Sequence, residues 1–230
     1  MNILTIIPAR KGSTRVKNKN ILNFNGKPLI YYSIKEAKKS KKLKKIVVST
    51  DSKKIALIAK KCGVEVPYLR PKYLSRKRSS SWDVVKHLIN FYKKQGVFFD
   101  YVLKLQPTSP LRLKKHIDQA VDLLKNKKLD GVVSICKSHY PLDLMSDLSK
   151  NLFMKKFSKK IKKYIISQDY KKYYFINGAI FLLKVKYLMN LKKSIYEGKV
   201  FGLEMPFRYS IDIDSKEDFR LAEIIFRYFK

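Results

Sequence analysis

Short runs of β-branched and aliphatic residues alternate with segments of helical period along most of this chain, and that alternation restricts the fold more than any other feature. Such a pattern belongs to βαβ units, whose strands form a mostly parallel sheet with flanking helices. The first strand is expected at Ile3 to Ile7, followed by a helix from Leu29 to Lys39 and a strand from Lys45 to Thr50. A helix that Asp51 or Ser52 caps comes next, then a short strand from Val64 to Leu69. Val84, Val85, Leu88, Ile89 and Tyr92 fall on one face of a helix, and Tyr101 to Leu105 is a further strand. A helix from Lys114 to Lys125, strands at Asp130 to Ile135 and Ala179 to Lys184, and a short helix from Val185 to Leu191 follow. The chain is expected to end with an extended segment, Tyr209 to Asp214, and a helix from Lys216 to Phe229. From Lys137 to Phe175 the pattern is polar, lysine-rich and irregular, which predicts an insertion projecting from the sheet. The expected organisation is one α/β domain over residues 1–230, interrupted by that insertion at 137–175.

Several classes of function are disfavoured by composition. No apolar run approaches the roughly 20 residues that cross a membrane. Arg10 and Lys11 follow the first apolar run directly, with no small-residue cleavage site, so no export signal is expected. Cys62 and Cys136 share no metal-binding or disulfide-like spacing, which fits a reducing cytoplasm. The formal charge of +34, from 52 Lys and Arg against 18 Asp and Glu, raises the question of nucleic acid. Lysine pairs such as Lys38-Lys39, Lys41-Lys42 and Lys159-Lys160 are spread over the chain rather than gathered into one recognition stripe. The expectation is a basic surface with no specific nucleic-acid partner, one that still draws anionic substrates inward.

Ligands of open α/β sheets bind beyond the carboxyl ends of strands, so the loops there are the candidates for chemistry. Pro8 to Arg15, with Lys17, Lys19 and Asn20, offers a glycine, two hydroxyls and five cations after a buried strand, a combination that suits a triphosphate. Neither the P-loop spacing nor G-x-G-x-x-G is present. In Gln106 to Arg112, two prolines are expected to hold Gln106 and Arg112 in fixed directions. In Asn177-Gly178, the glycine lets backbone approach a ligand, and the amide both donates and accepts. In Asp212-Ile213-Asp214, residues two apart in an extended segment share a face, so the two carboxylates converge as oxygen ligands suited to Mg²⁺. His87, His116 and His139 lie in unrelated segments with no metal-ligand spacing and are expected to be structural.

Taken together, Ile7 to Ser13 ending in Lys19-Asn20, Leu105 to Arg112, Asn177 to Ile180 and Ser210 to Phe219 resemble the acylneuraminate cytidylyltransferase family. The resemblance implies a fold of the nucleotide-diphospho-sugar transferase type with a small dimerisation insertion, hence a homodimer. It implies CTP and a nine-carbon 2-keto sugar acid as substrates and Mg²⁺ as cofactor. By it, Arg10, Ser13 and Lys19 meet the triphosphate, while Asn20, Arg70 and Ser81 surround the cytidine. Gln106 and Asn177 face the sugar or the ribose, and Asp212 and Asp214 carry the metal. Arg10, Lys19 and the two aspartates are then the catalytic set. Three departures stand out: Lys77-Arg78 before the serines of the nucleotide loop, Ser167 where arginine commonly precedes Gln168-Asp169, and Phe181 in place of a usual tyrosine. The last two fall on the sugar side, so a legionaminic or pseudaminic acid is as good an expectation as sialic acid. The remaining alternatives are a nucleotidylyltransferase of the same fold for another nucleotide or sugar, and a basic nucleic-acid-binding protein.

Overall fold

The first strand, β1 (Ile3–Pro8), is apolar at every position but Thr5, and a strand of that kind requires cover on both faces. In the computed structural model, which describes residues 1–12, 15–148, 150, 152–158 and 171–229, it lies inside a six-stranded sheet. The other strands are β2 (Asn23–Phe24), β3 (Lys27–Pro28), β4 (Lys45–Ser49), β5 (Tyr101–Lys104), β6 (Gly131–Lys137), β7 (Tyr174–Lys184) and β8 (Val200–Glu204). The helices are α1 (Leu29–Lys39), α2 (Lys53–Lys61), α3 (Ser81–Lys94), α4 (Lys114–Asn126), the single turn α5 (Lys155–Ser158), α6 (Val185–Met189) and α7 (Lys216–Tyr228). The sheet runs β4-β1-β5-β7-β6-β8, while β2 and β3 form a separate hairpin. Every neighbouring pair in the sheet is parallel except those of β7, which is antiparallel to both β5 and β6.

Each face has its own core. Ile30, Ile34 and Ala37 of α1, Ile55 and Ala59 of α2, and Ile117, Ala120, Val121 and Leu124 of α4 cover one side with Ile3, Ile7 and Leu103. Val85, Leu88, Ile89 and Tyr92 of α3 and Leu188 of α6 cover the other with Leu4, Ile6 and Val102. A third cluster seats α7 through Ala222 and Phe219 against Phe24, Leu29, Tyr32 and the buried Ile213. Phe24 lies beside the turn Asn25-Gly26, where φ is +45° and +87°. Asparagine and glycine adopt that left-handed backbone at the lowest cost, and the dipeptide is a strong hairpin signal.

The elements expected from sequence are present with several corrections. Val64 to Leu69 makes only isolated bridges, Val47 to Glu65 and Thr50 to Leu69, because Pro67 has no N–H to extend a ladder. The strand expected from Ala179 begins earlier, at Tyr174, and the helix after it ends at Met189. Tyr209 to Asp214 adds no strand: Phe207–Tyr209 is a 3-10 turn and the chain then runs along the sheet's end. The edge strand β8 and the small β2-β3 hairpin add to the elements expected from sequence. Ser52 caps α2 by accepting from the Ile55 amide, which leaves Asp51 to accept from the Lys11 amide at 2.7 Å.

Paired strands β6 and β7 carry the chain out of the body through Cys136 with Phe175 and Lys137 with Tyr174. Tyr140, Leu142, Leu152, Phe153, Met154 and Ile176 are exposed there. Ser167, Gln168 and Asp169 lie outside the described residues, as do Ser13 and Thr14. Among the described residues no helix is long and apolar enough to cross a membrane.

Candidate active site

Beyond the carboxyl ends of β1 and β5, the chain leaves the sheet in two loops and opens a cavity of about 240 Å³. Its walls include Arg10, Arg15, Lys19, Asn20, Gln106, Thr108, Asp212 and Asp214. Six of the residues singled out from sequence therefore meet in one place: Arg10, Lys19, Asn20, Gln106, Asp212 and Asp214. They come from three segments far apart in the chain.

The basic loop is shaped by its own contacts. The Ala9 amide donates to the Ser49 carbonyl at 2.9 Å, holding the loop to the end of β4. The buried Asn20 amide donates to the Arg10 carbonyl at 3.0 Å, and Arg10 Nη1 reaches the Arg76 carbonyl at 3.2 Å. Asn18 takes the left-handed conformation, φ +55°, which asparagine tolerates, and so turns Lys19 inward. Lys19 Nζ donates to the Ile213 carbonyl and lies 3.3 Å from Asp214 Oδ1, and Arg15 Nη1 lies 2.8 Å from Asp214 Oδ2.

The acidic side is fixed by α7. Ser215 and Asp218 form a reciprocal capping box at its N-terminus, with the Asp218 amide donating to Ser215 Oγ at 3.0 Å and the Ser215 amide to Asp218 Oδ2 at 2.7 Å. Ile213 is fully buried, and its amide donates to the Thr108 carbonyl at 2.8 Å. Alternation about Ile213 then turns Asp212 and Asp214 to the cavity. Burial raises the Asp212 pKa, and Asp214 and Asp218 add to the rise, while Thr108 and Lys19 oppose it. Thr108 thus lies close enough to favour the charged carboxylate, although neither its Oγ1 nor Asp212 Oδ1 has the geometry of a made hydrogen bond. Among the described residues no cluster of three or more His, Cys, Asp or Glu side chains is poised to hold a metal. A cation held here would take Asp212 and Asp214 and complete its shell from phosphate and water, as Mg²⁺ typically does.

Gly178 closes the back of the site. Its φ is +73°, and a Cβ there would stand 2.9 Å from Gln106 Nε2 and 3.4 Å from Asp212 Oδ2. Only glycine gives this backbone its turn and its proximity to both side chains. Asn177, 2% exposed, does not line the cavity. Its Oδ1 accepts from Ser134 Oγ at 2.5 Å and from the Ala179 amide at 3.2 Å, and its Nδ2 donates to Ser210 Oγ at 2.9 Å. The side chain is committed to holding the turn that presents Gly178.

Arg70 and Ser81 also stand outside the cavity. Arg70 is buried with Nη2 on the Ser49 carbonyl at 2.5 Å and Nε on Ser49 Oγ at 3.1 Å, so it braces the end of β4. Desolvation lowers its pKa to about 10, with Asp51 acting in the opposite direction. Ser81 is exposed at the first turn of α3, where its Oγ accepts from the buried Lys104 Nζ at 3.1 Å. Ser13, expected at the triphosphate, lies outside the described residues. Arg112, expected to project from its loop, is turned inward instead. It donates to the Ala179 carbonyl at 2.8 Å and to Ser33 Oγ at 2.7 Å, fastening the Gln106 loop to α1 and β7.

Sequence reasoning passed over Arg15 and Thr108. Arg15 was one of five cations with nothing to rank it, and its ion pair crosses 199 positions. Thr108 carried a signal in the rigid Pro107-Thr108-Ser109-Pro110 turn, which leaves its side chain little freedom. The three histidines take structural positions, with His87 on the Tyr68 hydroxyl, His116 buried at the start of α4 and His139 edge-on to Phe207.

A family model described as cytidylyltransferase matches residues 4–227. This chain belongs to the cytidylyltransferase family. It is 34% identical over 228 residues to the N-acylneuraminate cytidylyltransferase of Escherichia coli O18:K1:H7, a match covering 96% of this chain but only 51% of that protein. The chain thus spans about half the length of that relative. It is 36% identical to the CMP-N,N'-diacetyllegionaminic acid synthase of Legionella pneumophila, covering 97% of this chain and 95% of that one. Among solved structures, a CMP:2-keto-3-deoxy-manno-octonic acid synthetase complexed with CTP superposes with a TM-score of 0.75 over the whole of both chains at 14% identity, a likeness of fold. The α/β reading, with its mostly parallel sheet and flanking helices, is therefore the architecture of nucleotide-sugar cytidylyltransferases.

Proposed function

We propose that this chain transfers CMP from CTP to the anomeric 2-hydroxyl of a nine-carbon 2-keto sugar acid of the sialic, legionaminic or pseudaminic kind, releasing pyrophosphate. The observation that carries the reading is the single cavity where Arg10, Arg15 and Lys19 face Asp212 and Asp214 with Gln106 beside them. The cations suit the triphosphate, because charge-assisted contacts to phosphate oxygens are stronger than neutral ones. Asn20 holds the loop that carries Arg10, and Arg70 holds the strand end behind it. Gln106 is placed to orient the acceptor, whose 2-hydroxyl forms the new P–O bond at the α-phosphorus as the bond to pyrophosphate breaks. For such a transfer the protein's part is chiefly positioning and electrostatics.

Asp212 and Asp214 would hold Mg²⁺. The fit rests on Asp212 Oδ1, buried without a partner, and on its raised pKa beside Asp214, both of which a cation relieves. When bound, the ion supplies neutralising charge to the phosphates. A homodimer is also proposed, supported by the exposed Tyr140, Leu152, Phe153 and Ile176 around the 137–175 insertion, an apolar concentration of the sort that marks an interface. The unpaired cysteines support a cytoplasmic location. The test is pyrophosphate release from each of four nucleoside triphosphates with a panel of 2-keto sugar acids, with and without EDTA. Release confined to CTP with a nine-carbon acid and lost on chelation is the expected result. Release with another nucleotide, or none with any acid, refutes the reading.

A further inference from the structure

Of the two carboxylates that face the cavity, the more exposed one is already engaged by the protein itself. Asp214 Oδ2 accepts from Arg15 Nη1 at 2.8 Å, and Lys19 Nζ lies 3.3 Å from Oδ1, so a cation stands at each oxygen. Asp212 Oδ1, by contrast, is buried with no partner. The three groups that meet at Asp214 are not equally free. The Asp214 amide donates to Asp218 Oδ2 at 2.9 Å, which ties its backbone to the capping box of α7. Lys19 is 12% exposed and also donates to the Ile213 carbonyl, and that second bond holds its ammonium in place. Arg15 is 70% exposed, and among the described residues its side chain bonds to Asp214 alone. Arg15 is therefore the member that can leave.

A divalent cation shared by Asp212 and Asp214 needs lone pairs turned into the cavity. The guanidinium on Oδ2 covers one of them and repels the ion as a like charge. It is not held there strongly, because an exposed ion pair is screened by water and salt and must keep a long side chain still. Phosphate is the better partner: it offers a planar guanidinium two oxygens at once. Arg15 lines the same cavity as Arg10 and Lys19, so a triphosphate seated on those two cations comes within its reach. The exchange keeps every charge paired, since the guanidinium passes from carboxylate to phosphate as Asp214 passes from guanidinium to metal.

We infer that Arg15 and a divalent cation compete for Asp214, and that a bound triphosphate decides the competition by drawing the guanidinium away, so that metal and nucleotide are taken up together. The inference rests on the proposed use of CTP and Mg²⁺. The probe is Mn²⁺, titrated into the protein without nucleotide and read by the electron paramagnetic resonance of the free ion. Arg15→Gln should bind Mn²⁺ about three- to fivefold more tightly than the parent, the scale of one exposed ion pair. Arg10→Gln removes the same charge from the same cavity, but its side chain rests on the Arg76 carbonyl at 3.2 Å rather than on Asp214, so its gain should stay below about twofold. Adding Asp214→Asn to Arg15→Gln should abolish the gain. In turnover, Arg15→Gln should raise KM for CTP by about threefold or more, because the phosphates lose the guanidinium. No gain in Arg15→Gln, equal gains from the Arg15 and Arg10 variants, a gain that survives Asp214→Asn, or an unchanged KM for CTP overturns the inference while leaving the activity standing. A parent protein that releases no pyrophosphate from CTP, or whose release survives EDTA, overturns the reading beneath it and the inference with it.

Discussion

Replacing Lys104 by methionine should stabilise this protein at neutral pH, and the size of the gain follows from the site. The ammonium has no counter-charge among the described residues, only the Trp82 and Phe181 ring faces and the Ser81 hydroxyl, and its pKa falls from the ordinary lysine value of 10.5 to about 8. That shift corresponds to roughly 3 kcal/mol of unfavourable burial of the charged form. Below pH 8 both folded and unfolded chains hold the proton and the full penalty is present. Between pH 8 and 10.5 the unfolded chain holds the proton and the folded one does not, so stability rises with pH and the penalty disappears. Methionine matches the length and packs well against Trp82 and Phe181, although it gives up the bond to Ser81. The expected gain is therefore about 1 to 3 kcal/mol at pH 7, shrinking above pH 8 to roughly a quarter of the full burial penalty at pH 10. Urea denaturation of both proteins across that range reads it, and tyrosines that titrate in the same range cancel in the difference. A variant less stable at pH 7, or a gap that does not change with pH, refutes the reasoning.

Three further outcomes are expected. Asp212→Asn and Asp214→Asn should each lower turnover by about 10²-fold or more, the scale of losing one electrostatic stabiliser in a closed site, while thermal midpoints hold; near-parental rates with Mg²⁺ would show that the carboxylates do not serve the reaction. Gly178→Ala should cost about 1 to 2 kcal/mol for its left-handed backbone and depress activity further by displacing Gln106, whose Nε2 stands 2.9 Å from the new Cβ, so unaltered turnover in the folded variant counts against Gln106 as a site residue. Arg10→Ala and Lys19→Ala should reduce kcat/KM for CTP at least tenfold where the exposed Lys41→Ala does not, and equal losses from all three would assign nucleotide binding to diffuse charge.

The elements legible in the sequence were those whose own residues state their surroundings. β1 needed cover on both faces because it is apolar throughout, and Val84, Val85, Leu88, Ile89 and Tyr92 declared one face of α3. The antiparallel β7 was not legible as such, because a buried strand reads alike in either direction. β8 was hidden by Gly202, where an added Cβ would stand 2.6 Å from Ile135 Cδ1, so close packing against β6 rather than β-propensity puts it in the sheet. The cavity was legible in its chemistry, through Arg10, Lys19, Gln106, Asp212 and Asp214, but not in its division of labour. Arg70 and Asn177 carry the same polar groups as a ligand contact, and only the partners Ser49, Ser134 and Ser210 reveal that those groups are spent inside the protein. Lys104 left a trace in the alternation of β5, where it falls on the same face as the buried Val102, but a lone lysine in a chain with 52 cations does not attract notice.

The placement of the basic residues connects stability with binding. Arg70, Arg112 and Lys104 are all buried at the end of the sheet that faces the cavity, and none pairs with a carboxylate among the described residues. The two arginines donate to backbone carbonyls and serine hydroxyls, with Arg112 Nε left unpaired, whereas Lys104 has a single hydroxyl. Asp214, an acid that does reach the cavity, is already shared by Arg15 and Lys19. The site is therefore short of negative charge among the protein's own groups, and its field extends into a cleft, where charge interactions weaken less with salt than on the open surface. An anionic ligand that enters supplies what the fold lacks. It binds the folded chain and not the unfolded one, so it should stabilise in proportion to its occupancy. Surface lysines distributed around the molecule gain nothing comparable, because water and counterions already screen them. The same excess of positive charge thus acts as solvated decoration outside and as a demand for a polyanion inside, and it is the second role that the proposed nucleoside triphosphate would fill.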